Sequence, residues 1–324
     1  MRLGLTLPPE DIPVLETGRL VRHAESLGYD EAWSYERDYF DAFTPLASAA
    51  GTTERIRLGT AIAPALTRPP ALIAMSAASL SHLAPGRFVL GIGSSTKAVV
   101  SGWMGLQWSR PLTRTRDVLL SLRRLLDGER VGAFRLYRPP DHRVPIYLAA
   151  LGPRMLELAG ELADGVVLFM AGPTVLPELR RLAGRPIDTV ARVVIVTGSS
   201  RAASQDFARR FIALYASLPS YSGFLSRQGF GEEVAAIAGR WRSGDRRGAA
   251  GQVSDAMVRE LMWVTADTGA RDLVERFAKA DLGCLDSWFM SPADSAEERR
   301  RDFERAMVEC REVARTQALT AASG

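Results

Sequence analysis

Short apolar runs alternate with amphipathic stretches almost from end to end of this chain, and that alternation limits its folds more than any other feature. Leu3 to Leu7 reads as a strand, and Ile12 to Leu27 as its helix, with Leu20, Val21, Ala24 and Leu27 on one face and Gly28 as a left-handed cap. Strands follow at Glu31–Ser34, Ile56–Ile62, Phe88–Ile92, Pro145–Ala149, Gly165–Phe169, Ala191–Thr197 and Leu285–Met290. Helices are expected at 42–53, from Pro70, at 114–127, at 153–162 and from Ala296. Eight strands with crossover helices predict an α/β fold, a (β/α)8 TIM barrel with insertions after strands 4 and 7, at about 97–114 and 201–262. A doubly wound open sheet is the alternative. No repeat, low-complexity tract or linker interrupts the pattern, so residues 1–324 are expected to form one domain.

With 47% hydrophobic residues the chain can bury a large core, and it has no apolar run of the roughly 18 residues a membrane span needs. Its start lacks the charged, apolar and cleavage regions of an export signal, and Cys284 and Cys310 are far apart, which together suggest the cytoplasm. His23, His82 and His142 are scattered as well, so no metal site is expected. The net charge of +4 comes from dispersed arginines without an aromatic-interleaved stripe, which argues against nucleic acid. Only two lysines, Lys97 and Lys279, stand against 39 arginines, and Lys97 falls at a strand end.

In a barrel the chemistry lies where strands end. Strand two runs into Glu36, Arg37 and Asp38, a charged cluster at the mouth or a solvated loop. Strand three ends in small residues around Thr60, Ala61 and Ile62, which suits either a flat ligand against the backbone or tight packing. After strand four, Gly93, Ser94, Ser95 and Thr96 offer N–H groups and hydroxyls without bulk, and Lys97 adds a positive charge, a composition fit for a phosphate. It is neither a Walker A loop nor a full dinucleotide fingerprint. Gly152, Pro153 and Arg154 open a helix whose N-terminus can face an anion or simply make a turn. No nucleophile elbow and no telling carboxylate pair occur, which points to an organic cofactor as the reactive partner.

Three segments, Gly28-Tyr-Asp-Glu-Ala-Trp33 with Glu36-Arg37, Thr53-Glu-Arg-Ile-Arg-Leu-Gly-Thr60, and Leu83-Ala-Pro-Gly-Arg-Phe-Val-Leu-Gly-Ile-Gly93, resemble the bacterial luciferase-like flavin and deazaflavin oxidoreductases. The run from Ala149 to Gly165 is similar to the methylenetetrahydromethanopterin reductase branch, which uses coenzyme F420. The resemblance is strong over about residues 1 to 200 and weak from Asp272. It implies a deazaflavin at the C-terminal mouth of the barrel and a non-proline cis peptide between Ala61 and Ile62. It implies too that Thr60, Ala61, Ile62, Gly93, Ser94, Ser95, Thr96, Lys97, Gly152, Pro153 and Arg154 border the cofactor. Many relatives carry histidine where this chain has Arg37, and some carry a carboxylate where it has Thr96. An arginine does not act as a base at ordinary pH, so reduction of a C=N or C=C bond is expected over alcohol oxidation.

The function expected is hydride transfer between F420 and a small organic substrate, with Glu36 and Thr96 handling protons and Arg37 and Lys97 meeting negative charge. Two alternatives keep the fold: an FMN-dependent monooxygenase served by a partner flavin reductase, and a non-catalytic flavin-binding protein. A homodimer is expected from the relatives. His23, His82, Trp103, Trp108, Trp241 and Trp263 are expected to be structural, and Glu297–Arg301 a solvated helix face. The insertions should shape the substrate pocket, but neither carries a motif that names the substrate.

Overall fold

The protein is described by a computed structural model covering residues 1–9, 11–198, 200–266 and 270–322. The strands are β1 (Arg2–Leu7), β2 (Glu31–Ser34), β3 (Arg57–Thr60), β4 (Ala63–Pro64), β5 (Phe88–Gly93), β6 (Ile146–Ala149), β7 (Gly165–Phe169), β8 (Asp188–Val196), β9 (Met262–Val264) and β10 (Cys284–Met290). They hydrogen-bond in the order β10-β1-β2-β3-β5-β6-β7-β8-β9, with β4 on β5 and β10 also on β8, so the ladder closes on itself. Pairing is parallel, for example Ala32 opposite Leu58 and Gly91 opposite Tyr147. Strands covered on both faces must be apolar throughout, which is why β5 is buried along its whole length.

The expected third strand is two short ones, because the chain breaks at Ala61 and Ile62, which are joined by a cis peptide. The first long helix begins at Thr17 after a single turn at Val14–Glu16, and Gly28 closes it at φ 91° as its lack of a side chain allows. The helix after β5 starts at Pro111, three residues earlier than its periodicity suggests, since proline fits the first turn. Two elements are too short to stand out in the sequence: the eight-residue helix Leu176–Ala183 and the three-residue β9. No helix among the described residues is long and apolar enough to cross a membrane.

By packing, the chain groups into two compact units. The first comprises Ile12–Val167 and Arg180–Val190. In it, residues at strand starts form a polar network: Arg57 donates to Glu31 Oε1 at 2.7 Å and to the Tyr147 hydroxyl at 3.3 Å. Trp33 Nε1 donates to Glu31 Oε2 at 3.0 Å, and Tyr147 donates to Asp188 at 2.5 Å. Glu31 is fully buried, so these partners satisfy a charge that would otherwise be costly. Glu25 accepts the N–H groups of Glu54, Arg55 and Ile56, and Arg87 reaches Thr53 and the Ile56 carbonyl. Several of the residues that carry the family resemblance are thus structural.

The second unit comprises Met1–Asp11, Leu168–Leu179 and Ala191–Gly324. Its buried polar centre is Asp286, which takes Arg192 Nε at 2.8 Å and the Thr6 hydroxyl at 3.0 Å. Its helices, among them Arg201–Ala216 and Gly231–Arg242, form the insertion between β8 and β9. Within the final helix Arg301 pairs with Glu297, as on a solvated face, but Arg299 turns to Asp11 with two bonds of 2.7 Å.

Candidate functional site

The predicted site residues lie at the C-terminal ends of β2, β3, β5 and β6, all in the first unit. The bulge after β3 ties three of these ends together. Ala61 N–H donates to the Ser34 carbonyl at 2.5 Å, Glu36 N–H to the Ile62 carbonyl at 3.2 Å, and Ala65 N–H to the Gly93 carbonyl at 2.8 Å. A side chain on Gly93 would lie 2.9 Å from Ala149 Cβ and 3.3 Å from Ile62, so glycine there lets the ends of β5 and β6 meet the bulge.

Thr60, expected to border a cofactor, is fully buried, and its hydroxyl both donates to the Gly91 carbonyl at 2.7 Å and accepts the Gly91 N–H at 2.8 Å. These two bonds hold the bulge against β5. Ala61 is buried and Ile62 half-buried beside it.

Glu36 is nearly buried, and its carboxylate accepts Arg68 Nη2 at 2.9 and 3.2 Å and the Ala42 N–H at 3.0 Å. Arg68, which the sequence did not single out, stacks over Phe43 at 5.4 Å. Its Nε is buried without a hydrogen-bond partner among the described residues, as is the Ser34 hydroxyl at the end of β2. Burial pushes the nearby Asp41 carboxyl up, but hydrogen bonds from Thr44 and Phe43 and the Arg68 charge outweigh it and hold the group below its ordinary value. Arg37 lies next to Asp38 at 3.4 Å and within 6.0 Å of the Tyr35 and Tyr39 rings. A guanidinium between two aromatic faces is suited to hold a negative group.

After β5, Ser94, Ser95 and Thr96 are half-buried, and Ser95 turns the chain with φ 62°. Thr96 Oγ1 accepts the Val99 N–H at 3.4 Å, which leaves its hydroxyl proton to be donated elsewhere. Lys97 is exposed and opens a wide turn, Ala98–Trp103, in which Met104 N–H reaches back five residues to Val99. After β6, Gly152 precedes the ten-residue helix Pro153–Leu162; Pro153 and Arg154 are exposed. Nothing lies within 4 Å of where a Gly152 side chain would begin, and its φ of −97° suits any residue. Glycine here answers to no packing demand inside the protein. Open space at Gly152, the turned hydroxyl loop and the unpartnered Ser34 and Arg68 atoms fit a flat, anionic organic group.

Of the four tryptophans expected in the core, only Trp263 is fully buried. Trp103 is 54% exposed, and Trp241 lies flat against Arg246 at 3.7 Å, because both sit in the insertions rather than on barrel strands. His23 and His82 are on the surface.

Closed parallel strands with the candidate site residues at their C-terminal ends make a (β/α)8 barrel of the kind enzymes use. The chain belongs to the luciferase-like monooxygenase family, whose pattern it matches over residues 1–282. It is 36% identical to the 5,10-methylenetetrahydromethanopterin reductase of Methanolobus tindarius over 184 residues, only about half of either chain (53% and 55%). It is 30% identical over 311 residues, covering 82% of this chain and 88% of the other, to a Mycobacterium tuberculosis protein whose name provisionally makes it a coenzyme F420-dependent oxidoreductase. Among solved structures, the F420-dependent tetrahydromethanopterin reductase of Methanopyrus kandleri superposes with a TM-score of 0.73 at 24% identity, covering 98% of this chain and 99% of that one. This likeness establishes the barrel.

Proposed function

We propose that this chain is a coenzyme F420-dependent oxidoreductase that reduces a C=N or C=C bond of a small organic substrate. The observation that carries this reading is the similarity, over four fifths of the chain, to a protein named for that cofactor. When bound, F420 supplies hydride chemistry at ring carbon C5 and a phosphate-bearing tail.

The chain's own residues divide the remaining work. Ser94, Ser95 and Lys97 would hold the phosphate, with Gly152 leaving room and the Pro153–Leu162 helix turning its N–H groups and positive end toward negative charge. Ala61 and Ile62 would back the ring, kept in place by Thr60 and Gly91. Arg37 would anchor a negative group of the substrate. Thr96 would donate a hydrogen bond from its free hydroxyl proton, and Glu36, fixed by Arg68 and Ala42, would take part in proton handling. We include in the proposal a cytoplasmic homodimer, supported by buried cysteines that form no disulfide and by the exposed Leu72, Met75 and Leu83 on the helix Pro70–Leu83.

Titration of the purified chain with F420 and, separately, with FMN tests the reading. Preference for F420, lost on Ser95→Ala with Lys97→Ala, is expected. The family's monooxygenase members make oxygen chemistry with FMN the second reading; preference for FMN, with substrate-coupled oxygen uptake, would replace the first. Binding of neither would reject both.

A further inference from the structure

We propose that the second unit holds a seat for a flat, conjugated and uncharged ring system. That its occupant is the substrate rests on the oxidoreductase reading above; that it binds does not.

Phe169 is the last residue of β7, and Trp288 lies two residues before the end of β10. The C-terminal ends of strands are where this fold carries its sites. Around Phe169 stand Phe211, Tyr215 and Tyr221, with ring centroids at 6.4, 4.9 and 6.0 Å and planes inclined by 89°, 81° and 88°. Trp288 belongs to the same group, its ring centroid 5.8 Å from both Phe169 and Phe211.

Trp288 is buried, yet Phe169, Phe211 and Tyr215 are half-buried residues. Rings this close in a filled core would be sealed, so part of this aromatic surface is left open to a guest. Rings set edge to face present both electron-rich faces and electron-poor edges. A flat guest can stack on one wall while its rim meets another, which a puckered guest of the same size cannot do.

Charge narrows the guest further. Among the described residues of this unit the buried charges are Arg192 and Asp286. Arg192 lies 6.0 Å from the Trp288 ring centroid and is matched by Asp286 at 2.8 Å. The pair carries no net charge, so an anion placed here would lose water without meeting net positive charge, and an uncharged guest is favoured.

Calorimetric titration of the whole protein with three probes of one skeleton tests this: 2-acetylnaphthalene, its saturated counterpart 2-acetyldecalin, and 2-naphthoate. The flat neutral ketone should bind at least 10-fold more tightly than either other probe. Phe169→Leu and Tyr215→Leu should each weaken it about 2- to 12-fold, the usual worth of one aromatic pair, while Tyr215→Phe stays within about 2-fold. Unchanged F420 affinity and thermal midpoint would show that these variants remain folded; for a variant that does not fold, Tyr215→Phe and the probe ranking decide. No binding of 2-acetylnaphthalene, equal binding of 2-acetyldecalin, or tighter binding of 2-naphthoate would overturn the proposal. Ketone binding without F420 binding would instead reject the oxidoreductase reading and leave the seat standing.

Discussion

Gly152 separates stability from binding more cleanly than any other position in the candidate site. Replacing it with alanine puts a methyl group where no atom lies within 4 Å, at backbone angles any residue adopts. Restricting the unfolded chain stabilises by about 0.4–1 kcal/mol. Losing glycine for alanine before the first helical turn costs a similar amount, since alanine is a poor N-terminal cap. The two offset, and Gly152→Ala should shift stability by less than about 0.5 kcal/mol. Gly91 provides the contrast, because a side chain there would begin 1.8 Å from the Thr60 carbonyl oxygen and the protein would have to distort. If the cofactor lies against residue 152, Gly152→Val crowds the ligand, and overpacking of about 1–3 kcal/mol corresponds to roughly 5- to 150-fold weaker F420 binding. Urea unfolding and fluorescence titration of the same preparations measure both quantities. Full F420 affinity in Gly152→Val would refute the assignment, and a large loss of stability in Gly152→Ala would refute the reading of the open space.

Three other outcomes are expected. At Asp164, burial pushes the carboxyl up, but Arg143, the Ile146 N–H and Arg123 outweigh it and hold the group below its ordinary value; its stabilisation is therefore present above the unfolded value near pH 4 and lost as pH falls further. Thermal midpoints of wild type should fall more steeply below about pH 4 than those of Asp164→Asn, and parallel curves would contradict this. Asp286→Leu strands Arg192 and should cost about 3–5 kcal/mol, a midpoint drop of about 4–7 °C at this chain length, while adding Arg192→Met recovers most of it; a double variant as unstable as the single one would argue against a charge effect. Finally, Leu72 and Met75 are 41% and 43% exposed on the helix Pro70–Leu83, and if they pair subunits, Leu72→Glu with Met75→Glu should bring the mass in sedimentation equilibrium down to 35.3 kDa. Wild type already at that mass would remove the dimer from the proposal.

The strands were legible because a strand buried on both faces has to be a short apolar run between breaks, and β1, β5 and β7 are just that. The bulge at Ala61 and Ile62 was legible only through the family resemblance, since an alanine followed by an isoleucine looks no different from a continuing strand. Partners far apart in sequence were not legible: nothing local links Arg68 to Glu36, or Tyr147 to Asp188 41 positions away. The Thr60–Gly91 bonds were hidden for the same reason, the two residues being 31 positions apart. The aromatic cluster did leave a trace, with Phe207, Phe211 and Tyr215 four residues apart on one helix, but such spacing also describes ordinary core packing.

The division into two compact units has a consequence for descent. The loops assigned to the cofactor belong to one unit and the five rings to the other, in stretches of chain that do not overlap. A substitution in the aromatic helices changes residues of one unit and none of the loops proposed for the cofactor, so a chain built this way can alter what it transforms without altering the loops proposed to bind its reagent.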